Sequence, residues 1–359
     1  MTSAARLDPS PLSHTHLVEP ALTAVASPTV DLIPAWGTAD LVRQLNALDA
    51  PDAIDGRPAD DSAEALRLYA ADVASAASFY RQLACKMVRP YMGQAKQLQR
   101  AVGEHAPQNI VIVGGAGGMG AALAEHAAHR GATISLIDIP DAQGNPNPAL
   151  LGLAELCAAK VGAAKVKIFS LYATDDAAMR QAMQQAAEFG GGAIDLLCHA
   201  AGIFGDKRAF ELTAGHLGLR MEVNVRSTLV SVNAALPYLI RSKNPSYVFV
   251  SSMAATEFVG NQAEYCFTKH HQSASMDVLG HLLSHHLRIK VSELRFGHVF
   301  TPMCHGRGLD TMKMIQVSDV ANLMWNIAKA PVEMRFKAVE VTPSERLEGE
   351  VIWPEEEAL

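Results

Sequence analysis

Residues Ile110 to Ile139 read IVIVGGAGGMGAALAEHAAHRGATISLIDI. An apolar run rich in β-branched residues, a glycine cluster, an alanine-rich stretch of helical length and a second apolar run closing on Asp138 predict strand, turn, helix and strand. Two glycine registers fit the turn. Gly115, Gly117 and Gly120 satisfy G-x-G-x-x-G, whereas Gly114, Gly118 and Gly120 satisfy the looser G-x-x-x-G-x-G. Either register sets backbone N–H groups at a helix start, where the helix dipole favours a pyrophosphate. A tight turn with close helix–strand packing and no ligand is the plain alternative. The strand–turn–helix context and the acid ending the next strand favour dinucleotide binding.

Asp138 is placed to accept hydrogen bonds from the adenosine ribose hydroxyls, and a carboxylate there repels the additional phosphate of NADP. Ile139 and Pro140 follow it, and the turn carries no Arg or Lys. The expected cofactor is NAD in preference to NADP.

Outward from this unit the chain alternates. Apolar runs predict strands at 109–114, 133–138, 166–170, 194–199, 246–252, 290–296 and 337–342. Helices are predicted near 118–130, 147–161, 175–189, 208–222, 225–241, 263–287 and 318–330. This order predicts an α/β fold, a Rossmann-type doubly wound parallel sheet that binds ligands beyond the carboxyl ends of its strands. A partly helical N-terminal extension precedes it. Residues 1–60 hold seven prolines and form an irregular segment. Residues 61–106 form a helical extension, 107–345 the catalytic domain and 346–359 an acidic tail. In the extension, Leu66, Tyr69, Val73, Ala76, Tyr80, Leu83 and Met87 make one helical stripe, which packs on the main domain or on a partner subunit. Asp61 and Glu64 suit a capping box, Pro90 ends or kinks the helix, and a second piece spans Met92–Val102.

Of the 359 residues, 49% are hydrophobic and 19% charged, with a net charge of -7, as in a globular protein with a sizeable core. The negative balance gives no reason to expect nucleic acid or an anionic membrane as partner. Five scattered cysteines without a C-x-x-C pair suggest reduced thiols and a cytoplasmic setting. No basic start followed by an apolar run marks a signal peptide, and no apolar stretch is long enough to span a bilayer.

The chemistry is carried further along, in YVFVSSMAATEFVGNQAEYCFTKHH (Tyr247–His271), where Tyr265 follows Ser252 by thirteen residues and Lys269 follows Tyr265 by four. On a helix Tyr265 and Lys269 share one face. An ammonium beside a phenol favours the phenolate, which makes Tyr265 a proton donor and acceptor for a carbonyl or alcohol. Ser252, ending its strand, can hydrogen-bond the same substrate oxygen. A Tyr-x-x-x-Lys pair alone is common by chance. With the serine at this spacing and the glycine turn upstream, residues from about 108 to 343 resemble the classical short-chain dehydrogenase/reductase family.

The resemblance makes the register of Gly114, Gly118 and Gly120 the operative one, with Met119 inside it and Val113 where a threonine is usual. CHAAGI (Cys198–Ile203) is similar to the family's Asn-Asn-Ala-Gly strand end through Ala201 and Gly202, with His199 and Ala200 replacing the asparagines. In EVNVRS, Asn224 matches the residue that holds a water linking the lysine to a proton relay. In RFGHVFTP, Phe296 replaces a proline, Gly297 is kept, and Val299 and Thr301 match positions that meet the nicotinamide carboxamide. Tyr172 stands where an aspartate near the adenine is common. The implied reaction is NAD(H)-dependent interconversion of a secondary alcohol and a ketone. Catalysis would fall to Asn224, Ser252, Tyr265 and Lys269, and Tyr265 and Lys269 would also touch the cofactor. Gly114, Gly118, Met119, Gly120, Asp138, Ile139, Ala201, Gly202, Gly297, Val299 and Thr301 would complete the NAD site. The resemblance also implies a homodimer or homotetramer, since helices such as 225–241 and 263–287 commonly form a four-helix interface.

Other features carry less. His281 and His285 have the spacing of a metal pair without a matching carboxylate motif, so no metal is expected. Cys266 points off the catalytic face and packs. Met303, His305, Met312 and Met314 suit either an adaptable lid or a plain loop. Two alternatives stay open. VIVGGAGGMG also resembles the cofactor turn of prephenate dehydrogenases, and a non-catalytic NAD sensor could use the N-terminal helices as its interaction surface.

Overall fold

The structure, a computed structural model, describes residues 81–82, 84–97, 100–205, 214–257, 262–304 and 310–344. The irregular segment 1–60, most of the extension's apolar stripe, His305 and the acidic tail lie outside the described residues. Among the described residues, seven parallel strands stand in the order β3-β2-β1-β4-β5-β6-β7. They are β1 (Asn109–Val113), β2 (Thr133–Asp138), β3 (Val166–Ser170), β4 (Leu196–His199), β5 (Ser246–Ser252), β6 (Lys290–Phe296) and β7 (Ala338–Val341). This is the doubly wound Rossmann arrangement expected from the sequence. The strand order reverses between β1 and β4, and that switch point opens the crevice where such sheets bind ligands.

The central strands β1 and β4 are buried along their whole length because both faces are covered. Alternate residues of β1 divide between two cores. Val111 and Val113 pack with α4 (Asp176–Phe189), α6 (Ser227–Leu239) and α7 (Ala263–Leu287). Ile110 and Ile112 pack with α2 (Gly118–Ala128), α3 (Pro148–Val161) and α8 (Val317–Lys329). Local signals fix the helix ends. Asn147 accepts a hydrogen bond from the Leu150 N–H at 2.8 Å, and Gly162 follows α3 at φ 87°. The Asp175 side chain caps α4 through the N–H groups of Ala177 and Ala178, both at 3.0 Å.

Two expectations are revised. The helices expected at 208–222 and 225–241 are not separated by a break. Where described, the chain is helical from α5 (Ala214–Arg220) into α6, joined by a π-helical turn at Met221–Arg226. Such a turn inserts a residue without ending the helix. The second extension helix, α1 (Met92–Gln97), is shorter than expected, and Val102 is exposed. Pro90 does interrupt the preceding helix, lying in the 3-10 turn Arg89–Tyr91.

The extension's described part packs on the main domain. Ala84, Met87, Val88 and Ala95 are buried in the core that α6 and α7 share. Arg100 then fastens it, donating to the carbonyls of Ile240 (2.8 Å) and Leu287 (2.8 Å) and to that of Ser242. These carbonyls lie at the carboxyl ends of α6 and α7, where a cation complements the helix dipole. Among the described residues, no helix is long and apolar enough to cross a membrane.

Candidate active site

At the switch point the two glycine registers can be told apart by steric need. Gly114 adopts φ +82°, and a Cβ there would lie 2.5 Å from the Ala201 nitrogen. A Cβ on Gly118 would lie 2.8 Å from Thr301 Cγ2, and one on Gly120 would overlap the Gly114 carbonyl oxygen. Gly115 and Gly117 are looser, with nearest neighbours at 3.2 and 3.4 Å. Gly114, Gly118 and Gly120 are therefore the glycines this turn requires.

The turn is tied to Asp138, whose two carboxylate oxygens accept from the Ala116 N–H (2.7 Å) and the Ile139 N–H (2.8 Å). The Ile139 side chain is exposed. Helix α2 begins at Gly118, so the N–H groups of Gly118, Met119 and Gly120 stand in its first turn, where no intrahelical acceptor exists. The opposite wall comes from the segment after β6. Val299 and Thr301 are buried, and Thr301 faces Gly118 across the crevice. Gly297 lies under Pro343. Tyr172 is 58% exposed. A bare glycine cradle at a helix start, a carboxylate at the end of β2 and an apolar far wall suit a dinucleotide.

The other residues converge beside this cradle. Ser252 ends β5 in register with Phe296 of β6 and accepts from the Ala254 N–H at 3.2 Å. Tyr265 and Lys269 lie on α7, with Lys269 Nζ 5.7 Å from the Tyr265 ring centroid. The Tyr265 ring packs against Phe204 at 5.1 Å. Lys269 is 3% exposed and donates to the Val250 carbonyl (3.2 Å) and Gln272 Oε1 (2.9 Å). Burial lowers its pKa to about 8, while the Glu293 carboxylate pulls it upward. Gly202 spaces the group, since a Cβ there would lie 3.3 Å from Asn224 Oδ1 and 3.8 Å from Lys269 Nζ. Asn224, within the π-turn, has its side chain held by the Ile203 N–H (2.8 Å), the Ile203 carbonyl (3.0 Å) and Thr268 Oγ1 (3.0 Å).

His199, the departure in the strand end, is fully buried, with Nδ1 3.1 Å from Ser231 Oγ and Nε2 3.1 Å from Ser227 Oγ. Burial, and after it the Lys269 ammonium, push its pKa down to about 3. With the folded value below the ordinary 6.5, this stabilisation is present above pH 6.5 and is lost as the pH falls towards 3. Asparagine, whose amide stands where the Nδ1 edge of the ring does, can bond Ser231 without titrating. His199→Asn is therefore expected to flatten the acid limb of stability, removing a slope of up to about 1.4 kcal/mol per pH unit. Melting temperatures of both proteins between pH 4 and 7 check this, and parallel curves would refute it.

Cys266 is buried, as expected of its helix face. Met314 is buried, while Met303 and Met312 are exposed. The His281 and His285 rings lie 4.2 Å apart, and no group of three metal-ligating side chains occurs among the described residues. The sequence reading missed Gln272 and Thr228, and also the ion pair between Arg220 and the buried Glu264 beside Tyr265. No local pattern marks these residues. Thr228 and Arg220 meet α7 from other elements, and Gln272, three residues after Lys269 on the same helix, takes its second partner from α6.

Comparison with known proteins bears on the family and the fold. The family model for short chain dehydrogenases matches residues 108–311. An uncharacterised oxidoreductase of Staphylococcus epidermidis is 25% identical over 236 residues, covering 65% of this chain and 96% of its own. The 1-deoxy-11-beta-hydroxypentalenate dehydrogenase of Streptomyces avermitilis is 29% identical over 228 residues, 61% of this chain and 80% of that one. Among solved structures, an alcohol dehydrogenase from Thermococcus sibiricus in complex with 5-hydroxy-NADP superposes with a TM-score of 0.57 at 20% identity. It covers 66% of this chain and 98% of its own, and at that identity it speaks for the fold alone.

Proposed function

The chain belongs to the short-chain dehydrogenase/reductase family, an oxidoreductase family, and from that premise we propose that it interconverts a secondary alcohol and a ketone with NAD(H). The observation that carries the reading is the buried Lys269 ammonium set 5.7 Å from the Tyr265 ring, where a side chain on Gly202 would crowd Asn224 and Lys269. Bound NAD or NADH would supply the hydride acceptor or donor. Gly114, Gly118, Met119 and Gly120 would receive the pyrophosphate, Asp138 and Ile139 the adenosine ribose, and Ala201, Gly202, Gly297, Val299 and Thr301 the nicotinamide end.

The protein's own groups handle the proton. Tyr265 gives its phenolic proton to the carbonyl oxygen, or takes the proton of the alcohol. Lys269 holds positive charge beside the phenol and favours the phenolate. Ser252 orients the substrate oxygen, and Asn224 braces the Ile203 backbone and the base of the helix carrying Tyr265. The dehydrogenase relative of Streptomyces is named for a hydroxy substrate, which accords with an alcohol reaction. The loop composition suits an apolar or aromatic carbonyl compound of moderate size. We also propose the domain limits given above, a cytoplasmic setting, and a homodimer or homotetramer.

A thermal-shift titration with NAD, NADH, NADP and NADPH, followed by a panel of secondary alcohols and ketones, tests the proposal. A ligand that binds only the folded state raises its stability by mass action. Stabilisation by the NAD pair over the NADP pair is expected, because the Asp138 carboxylate disfavours a second phosphate. The reverse order would overturn the cofactor assignment. Stabilisation without turnover across the panel would bring forward the non-catalytic sensor. A prephenate dehydrogenase-like activity would leave Ser252, Tyr265 and Lys269 without a role.

A further inference from the structure

Behind Lys269 runs a line of buried hydrogen bonds that the reaction scheme above does not use. Lys269 Nζ donates to Gln272 Oε1 at 2.9 Å. Gln272 Nε2 donates to Thr228 Oγ1 at 3.0 Å, and Thr228 Oγ1 donates to the Asn224 carbonyl at 3.0 Å. Lys269 is 3% exposed, and Gln272, Thr228 and Asn224 are fully buried. The line joins α7 to α6 and the π-turn.

Every bond in it donates in one direction. The Thr228 hydroxyl spends its proton on the Asn224 carbonyl, so its oxygen is left to accept from an amide nitrogen. That fixes which end of the Gln272 amide faces Thr228, and hence puts the amide oxygen against the ammonium. A flipped amide would set two donors face to face at Lys269 and two acceptors face to face at Thr228. Hydrogen bonds aligned in this way polarise one another in a low-dielectric interior.

We infer that Gln272 is a positioning residue of this active site, whose side-chain amide, oriented by Thr228, anchors the Lys269 ammonium from behind and leaves it directed at Tyr265. This rests on the dehydrogenase reading for its purpose but not for its geometry. An amide does not pass protons readily, so Gln272 holds charge in place and is no part of a proton path. The charged and titratable groups facing Lys269 are Tyr265 from its own helix, His199 from β4 and Glu293 from β6. The π-turn and α6 present the neutral Asn224 and Thr228. Burial works against the ammonium and Glu293 supports it, and the neutral acceptor at Gln272 adds to that support.

The test is a spectrophotometric titration of the Tyr265 phenolate up to pH 11, isolated as the absorbance change present in the protein and lost in Tyr265→Phe. Gln272→Met keeps the length of the side chain and removes the acceptor. The ammonium is then harder to hold, its field at the phenol weakens, and the phenolate midpoint is expected to rise by about one pH unit. Thr228→Val, which is nearly isosteric, should raise it less. The double variant should match Gln272→Met alone if Thr228 acts through Gln272.

A residue that merely fills the space between α6 and α7 would change the melting temperature and leave the midpoint where it was. A midpoint in folded Gln272→Met equal to the parent's would overturn the inference. If that variant does not fold, an unmoved midpoint in Thr228→Val does the same, and so does a parent phenolate that fails to form below pH 11. Turnover of the parent is assayed alongside. A midpoint that moves in a protein without turnover would defeat the dehydrogenase reading and leave the positioning role standing.

Discussion

Tyr265→Phe is expected to lower kcat for both alcohol oxidation and ketone reduction by on the order of 10²–10⁴-fold. NADH affinity and melting temperature should stay close to the parent's. The variant removes one oxygen from a ring that packs against Phe204 at 5.1 Å, so the aromatic contact survives. No hydroxyl of Ser252 can substitute, because an aliphatic alcohol lacks both the acidity and the cationic neighbour that favour the phenolate. The Lys269 ammonium cannot donate in its place without giving up its bonds to the Val250 carbonyl and to Gln272. Since the phenol acts on the reacting oxygen in the transition state, kcat and kcat/KM should fall together. Steady-state kinetics with the best substrate of the panel and fluorescence titration with NADH separate the two effects. A variant that binds NADH and turns over within tenfold of the parent would remove Tyr265 from the chemistry.

The sheet was largely legible because its signals are local. A central strand such as NIVIV is a short apolar run, and β2, β3, β5 and β6 begin and end where the sequence predicts. The helices of the domain were found to within a few residues for the same reason. The link between α5 and α6 was misjudged because a π-turn has no composition of its own. It is set by packing around Asn224, which pairs with Ile203 and Thr268 far along the chain.

The site was legible where chemistry demands a residue type at a fixed spacing, as for Ser252, Tyr265 and Lys269. It was illegible where a role depends on who sits opposite. His199 reads in the sequence only as a replacement for a family asparagine, yet Ser227 and Ser231, on the facing helix, accommodate its ring. Thr228 meets Gln272 from 44 residues away, and that contact orients the amide that faces Lys269. Of the extension's apolar stripe, Met87 lies among the described residues, and its burial with Ala84, Val88 and Ala95 in the shared core places that part on the domain.

Gly114→Ala is expected to cost about 3 kcal/mol or more and to abolish stabilisation by NAD, while Gly117→Ala should cost less than about 1 kcal/mol. The contrast follows from two independent penalties. At φ +82° an L-residue pays about 1–2 kcal/mol for the left-handed backbone alone. The new methyl carbon would also stand 2.5 Å from the Ala201 nitrogen, a backbone atom at the end of β4 that cannot swing aside as a side chain would. Relief requires β1 and β4 to part at the switch point, and that is where Ala201 and Gly202 border the crevice. Gly117 faces neither penalty, since its φ is -75° and its nearest neighbour would lie 3.4 Å away. The G-x-G-x-x-G register makes the opposite forecast, because it counts Gly117 as essential and Gly114 as incidental. Denaturant unfolding of the two variants, with and without NAD, decides between them. Equal losses, or a larger loss at Gly117, would mean that the cofactor turn is built on the other set of glycines.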